Sequence, residues 1–523
     1  MSRKIRIALV LLLVVGMFGW RHYRDRAAEA AATAPAPSVA HAAAAPAPPR
    51  RLGSLAFKPC TLAPQFGAAS VEAQCGTLSV AEDPARPRGR RIALNIAWIP
   101  ADDNGETAPD PVFMLAGGPG QAATETYPQV APAFREVLKH RHVILVDQRG
   151  TGQSNPLTCK DEDKDDAGAD QVDADADSSA DAARRDAERC RDALSKRADL
   201  RFYTTTDAVR DLDAVREAIG ADSINLLGIS YGTRVAQQYA MRHPASTRTL
   251  VLDSVAPNTL ILGNDFAGNL ERALDLQFGQ CEKSAACVKA LGHPRAQLDA
   301  LMAKLRADPP LVRYRDAGTN ELREERLQPE AVAGLMRMYA YMPLASALLP
   351  LQLGEAAHGR YEGLAALAKM LGSSVGDQMA MGMQLSVVCS EDAFGFKPDP
   401  AADGTLLGNQ FSEFLGAQCA VWPKGAMPAD FHQPLKGNVP ALVLEGEFDP
   451  VTPPRYGEEV VATLPNARLF VLRGQGHNVI GAGCMPKLFA QFIDTADAKT
   501  LDGKCLDALA YAPPFTSFNG WEP

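Results

Sequence analysis

Three stretches of this 523-residue chain carry residue types that together could transfer an acyl group: LLGISYGTR at 226–234, LEGEFDPVTPP at 444–454 and VLRGQGHNVIG at 471–481. A serine hydroxyl is a weak nucleophile at neutral pH. It needs an imidazole to take its proton, a carboxylate to hold that imidazole, and N–H donors for the oxyanion that forms. Ser230 sits in Gly-x-Ser-x-Gly between Gly228 and Gly232, after an apolar run and before helix-like text. That is the setting in which a serine is pushed outward on a sharp turn, with the N–H of Tyr231 beside it as an oxyanion donor. Asp449 lies just past a second apolar run and is the preferred acid. Glu445 and Glu447 compete with it, but Glu445 falls within the run itself. Of nine histidines, only His477 follows a further apolar run late in the chain, in a loop that Gly474 and Gly476 leave free to aim the ring. A second donor is expected from FMLAGGPGQ at 113–121, where Gly117, Gly118 and Gly120 allow close approach to a substrate oxygen; Gly118 is the chosen donor. The stretch lacks the Gly-Lys-Ser/Thr ending of a phosphate loop.

Elements must bring these residues together. Short β-branched runs predict strands at 91–99, 111–115, 142–147, 223–228, 249–253, 440–446 and 467–472. TTTDAVRDLDAVREAIG at 204–220 has a Thr/Asp start, apolar residues at helical spacing and a closing Gly, and predicts a helix. TRVAQQYAMRH at 233–243 predicts another. Strands alternating with helices imply an α/β fold whose mostly parallel, doubly wound sheet is covered on both faces. In such a sheet, active groups gather at the carboxyl ends of the strands. From about 258 to 432 the text becomes mainly helical, which predicts a helical cap or lid inserted into the sheet. The expected organisation is 1–50 as a leader with a linker, 51–257 as the first part of the core, 258–432 as the cap and 433–523 as the second part of the core.

Composition narrows the function. A formal net charge of −9 argues against a nucleic-acid partner. MSRKIR followed by fourteen apolar residues has the layout of a secretory signal, and the Ala/Pro tract after it reads as a low-complexity linker. The expectation is an exported protein, periplasmic or secreted, whose leader is either cleaved or kept as an N-terminal membrane anchor. Ten cysteines follow this leader, none of them in a Cys-x-x-Cys pair, so disulfides are expected rather than a metal site. Pairing between sequence neighbours is favoured: Cys60 with Cys75, Cys159 with Cys190, Cys281 with Cys287, Cys389 with Cys419, and Cys484 with Cys505. The acidic stretch 161–190 reads as a solvated excursion. Neither a metal nor an organic cofactor is required by the chemistry above.

LAGGPGQ, VDQRGTGQS, LLGISYG, GEFDPVTP and GQGHN together resemble the proline iminopeptidase and tripeptidyl aminopeptidase branch of the α/β-hydrolases. PCTLAPQFGAASVEAQCGTLSVAEDP is similar to the opening of its exported tripeptidyl aminopeptidase-like members. The order Ser230, Asp449, His477 is also that of the α/β-hydrolase fold. The resemblance implies a serine aminopeptidase with a C-terminal TAP-like region, acting on peptides with free N-termini. It further implies that cap carboxylates, here Glu391 with Asp392 as second candidate, bind the substrate's α-ammonium. Ala116 stands where proline iminopeptidases carry His before GGPG, which fits the tripeptidyl members better. An esterase or lipase built on the same triad, and a non-catalytic binding protein of the same fold, are the alternatives.

Overall fold

The computed structural model describes residues 49–64, 68–102, 107–159, 179–375 and 379–520. The leader and most of the acidic stretch therefore lie outside the described residues. The described end of that stretch is helical. Ser179 caps the helix Ala180–Ser195, which buries Ala187, Cys190 and Leu194.

All seven expected strands form, within a ten-stranded sheet of order β1-β2-β3-β4-β6-β5-β7-β8-β11-β12. They are β4 (Arg91–Ile99), β5 (Val112–Leu115), β6 (Val143–Val146), β7 (Ile224–Ile229), β8 (Thr247–Asp253), β11 (Ala441–Gly446) and β12 (Ala467–Leu472). The strands from β6 to β12 in this order run parallel, while β4 joins β6 antiparallel. Three strands not anticipated from the sequence extend the antiparallel edge: β1 (Arg50–Leu52), β2 (Leu55–Leu62) and β3 (Val71–Ala81).

The central parallel strands are mostly apolar because both faces are covered, whereas β12 at the edge is only half-buried. Alternate residues go to opposite layers. Phe113, Leu115, Leu226, Leu252 and Val443 enter one apolar cluster, and Val112, Met114, Leu227, Val251 and Leu444 enter the other. Burying each such side chain is worth about 1.5–3 kcal/mol relative to exposure, so a one-residue slip in any strand would forfeit many of them at once. The register therefore fixes which loops emerge side by side. Leu115 pairs with Gly228, Ile229 with Asp253, Asp253 with Leu444, and Gly446 with Leu472.

The insertion between β8 and β11 is not purely helical and does not pack as one body. Helices such as Phe266–Glu282, Pro294–Ala307 and Pro329–Ala340 share a separate apolar cluster built from Leu270, Phe278, Leu305, Met336 and their neighbours. A hairpin of β9 (Leu311–Arg315) and β10 (Leu322–Arg326) is part of this region. Its residues alternate between buried Val312 and Tyr314 and exposed charges, a half-buried strand pattern with period two. Helices Met381–Glu391 and Gln410–Cys419 differ. Their Met383, Leu385, Val388 and Leu415 join the same layer as Tyr231 and Val235 of the core.

Five disulfides join the neighbouring cysteines: 60–75, 159–190, 281–287, 389–419 and 484–505. Such usage belongs to proteins that mature in an oxidising compartment. Among the described residues no helix is long and apolar enough to cross a membrane.

Candidate active site

Ser230 occupies the turn between β7 and the helix Tyr231–Arg242 with φ 56° and ψ −123°. For a residue with a side chain this is a costly conformation, of order 1–3 kcal/mol, and it persists only where the surroundings impose it. The surroundings here are backbone. A Cβ on Gly228 would stand 2.4 Å from the carbonyl oxygen of Gly232, and one on Gly232 would stand 2.3 Å from that of Leu115. Only glycines let β5, β7 and the helix approach this closely. The Ser230 N–H is held by the Asp253 carbonyl at 2.9 Å, and its carbonyl accepts from Thr233 Oγ1 at 2.6 Å. Tyr231 is the first helical residue, so its N–H has no partner within the helix.

The glycine loop after β5 lies against this turn. A Cβ on Gly117 would be 3.1 Å from Ser230 Cβ. Gly118 has φ 106°. Residues Met379 and Ala380, which precede the helix Met381–Glu391, close over the loop: the Ala380 N–H donates to the Gly120 carbonyl at 3.0 Å.

His477 and Asp449 meet as the sequence suggests. Nδ1 of His477 lies 2.7 Å from Asp449 Oδ2. Asp449 is itself fixed: Oδ1 accepts from the N–H groups of Val451 and Thr452 at 2.8 Å each, and Oδ2 accepts from Thr452 Oγ1 at 3.0 Å. The side chains are 10% and 0% exposed, so water screens their attraction little. Burial works against an imidazolium here. The charge and hydrogen bond of Asp449, with a smaller contribution from Asp253, outweigh it and raise the His477 pKa. The rival acids are engaged elsewhere. Glu447 accepts from the Gly474 N–H at 2.7 Å, and Glu445 accepts from the Val255 N–H at 3.2 Å. Burial and the nearby Asp449 push the Glu445 pKa well up, so the site disfavours its charged form.

The insertion reaches this centre through Tyr341, a contact that the sequence did not signal. The Tyr341 carbonyl accepts from the His477 N–H at 2.9 Å, and the two rings meet edge to face with centroids 5.1 Å apart.

Glu391 and Asp392 are both buried, and each already has partners in the chain. Glu391 accepts from the Thr205 N–H at 2.7 Å and from Thr205 Oγ1 at 2.8 Å, at the start of the helix Thr205–Ile219. Thr205 Oγ1 in turn lies 2.6 Å from the Tyr231 hydroxyl. Asp392 faces Arg234 at 3.0 Å, with both side chains 0% exposed, and also accepts from the Leu262 N–H. Arg234 thus neutralises Asp392 internally. Burial, with the charge of Asp392 adding to it, pushes the Glu391 pKa up to about 8.

Comparison with known proteins agrees with this architecture. Residues 110–328 match the family described as alpha/beta hydrolase fold, and residues 405–505 match the one described as TAP-like protein. The chain is 27% identical over 470 residues to the serine protease Hip1 of Mycobacterium tuberculosis, covering 83% of this chain and 87% of that protein. It is 31% identical over 191 residues to the tripeptidyl aminopeptidase of Streptomyces lividans, 35% of each chain. It is also 28% identical over 145 residues to the proline iminopeptidase of Xylella fastidiosa, 28% of this chain and 32% of that one. With the sheet, the elbow and both matched regions in place, the chain is an α/β-hydrolase in fold, with a TAP-like region over residues 405–505.

Proposed function

We propose that this chain is an exported serine aminopeptidase that hydrolyses peptides near free N-termini through an acyl-enzyme. The observation that carries the reading is the 2.7 Å pair of His477 Nδ1 and Asp449, set at the strand ends that also hold the strained turn of Ser230. With Nδ1 committed to Asp449, Nε2 of His477 is the nitrogen that takes the Ser230 proton. Ser230 Oγ then attacks the scissile carbonyl carbon, and the N–H groups of Tyr231 and Gly118 hold the oxyanion. The C–N bond breaks as His477 returns the proton to the leaving amine. Water, deprotonated by the same imidazole, releases the N-terminal fragment from Ser230. No step calls for a metal or a cofactor.

Glu391 is the proposed partner of the substrate ammonium. Burial favours its neutral form when unliganded, and a cation entering beside it would draw it into its charged form. Asp392 acts behind it by holding Arg234. Support for peptide chemistry comes from the named activities of the relatives, and support for export comes from the five disulfides. The test compares hydrolysis of a free-amine peptide anilide with that of its N-acetylated form. A strong preference for the free amine is expected. Equal rates would contradict aminopeptidase action and favour a general esterase-like hydrolase.

A further inference from the structure

The segment Asp253-Ser254-Val255 at the end of β8 touches the turn of Ser230, the loop of His477 and the strand that leads to Asp449. The Asp253 carbonyl holds the Ser230 N–H at 2.9 Å. Its carboxylate, fully buried, accepts from the N–H of Val479 at 2.9 and 3.1 Å and from that of Ile480 at 2.9 Å. Ser254 Oγ accepts from the Asn478 N–H at 2.7 Å, and the Ser254 N–H donates to Leu444 on β11 at 2.8 Å. The Val255 N–H reaches Glu445 on the same strand. Three consecutive N–H groups after His477 thus end on two adjacent side chains, and one residue binds both the nucleophile's turn and the base's loop.

We propose that Asp253 and Ser254 are positioning residues that set the imidazole of His477 against Ser230 and place a second negative charge behind it. The proposal rests on the triad reading above. Its physical basis is the capture of the loop through its N–H groups. His477 hangs from a segment with a left-handed residue, Asn478 at φ 69°, next to the equally left-handed Ser254 at φ 57°. Such a segment holds one shape only while its N–H groups stay bound. The ionised groups facing Asp253 are His477, which favours its charge, and Asp449, which opposes it. Glu445 also stands close, where burial, Asp449 and Asp253 disfavour its charge. Burial raises Asp253, the Val479 and Ile480 N–H groups lower it, and the balance lies at about 6. Below that pH the carboxyl is protonated, and both the second charge and part of the loop's anchorage are lost. Two groups then limit activity on the acid side: His477 must be neutral and Asp253 ionised.

The experiment uses the full chain with Asp253→Asn and Ser254→Ala. It follows KM and thermal melting, and the pH dependence of kcat from 4.5 to 8.5 on a saturating free-amine peptide anilide, so that Glu391 is already paired with the substrate. Wild type is expected to fall on the acid side with a slope approaching two. Asp253→Asn is expected to fall with a slope of one, and at slightly lower pH, because the smaller of the two charges that raise His477 is gone. Its kcat should drop roughly 100-fold, the effect of a misplacement near 1 Å, with KM little changed. Ser254→Ala should lower kcat less and keep the slope of two. Superimposed profiles for a folded Asp253→Asn and wild type would overturn the proposal. Should Asp253→Asn fail to fold, an unchanged kcat in Ser254→Ala would overturn it equally. Failure of the triad reading itself is separately visible, as fluorophosphonate labelling that survives Ser230→Ala.

Discussion

Replacing Asp449 by Asn separates the geometry of the pair from its charge. Asp449 Oδ1 is fixed by two backbone N–H groups at 2.8 Å, so an Asn at this position orients its carbonyl oxygen there. Its NH₂ then takes the place of Oδ2, 2.7 Å from His477 Nδ1. An NH₂ donates, so Nδ1 must become the acceptor and the ring proton moves to Nε2. The nitrogen meant to take the Ser230 proton then already carries one. Loss of the correct tautomer costs about 10⁴ in kcat in the serine-protease triad, or about 5 kcal/mol of barrier. The fold should barely notice, since the bonds to Val451 and Thr452 remain. The change in stability should stay within about 1 kcal/mol, the worth of one hydrogen bond, here that from Thr452 Oγ1. The assay is steady-state hydrolysis of a peptide anilide alongside urea denaturation. Activity within tenfold of wild type in a folded Asp449→Asn would refute the reasoning and would direct attention to Asp253 or Glu445 as the acid.

Gly228→Ala places a methyl 2.4 Å from the Gly232 oxygen and 2.6 Å from the Thr233 nitrogen, both backbone atoms that cannot swing away. A loss of about 3 kcal/mol or more in urea denaturation, together with lost fluorophosphonate labelling, is expected; unchanged denaturation would show that the turn is not as tightly enclosed as argued. Glu391 carries a raised pKa, so its contribution to stability is complete below the unfolded value near 4.5 and is lost as pH rises through about 8. Glu391→Gln can keep both contacts to Thr205 and should flatten the decline in melting temperature between pH 5 and 8.5. Parallel declines in the two proteins would refute burial as the cause, and an unchanged KM for free-amine substrates in Glu391→Gln would remove Glu391 from the proposed ammonium site.

The parallel half of the sheet was legible because strands buried on both faces leave near-continuous apolar runs, as in VFML and VILV. β2 and β3 were not, because their residues alternate between covered and exposed positions and include Pro59, Cys60 and Gly76, which dilute the apolar signal. The hairpin β9–β10 was hidden for a related reason: LVRYR and LREER are mostly charged, and only Val312 and Tyr314 mark a buried face. Ser230, Asp449 and His477 each follow a readable strand. Asp253 also ends such a strand, but nothing along the chain says that its carboxylate faces residues 479 and 480, more than two hundred positions away. Tyr341 is beyond sequence reasoning for the same reason. Glu391 shows the converse limit. Its residue type suits an ammonium site, yet its contacts to Thr205 at the start of a helix depend on a packing that composition does not reveal.

The most direct test of the account is intact-mass and peptide-mass analysis of the full chain after reaction with a fluorophosphonate. One equivalent of label is expected, located on the peptide that contains Ser230, and none in Ser230→Ala. Label on another residue, or equal labelling of the variant, would contradict it.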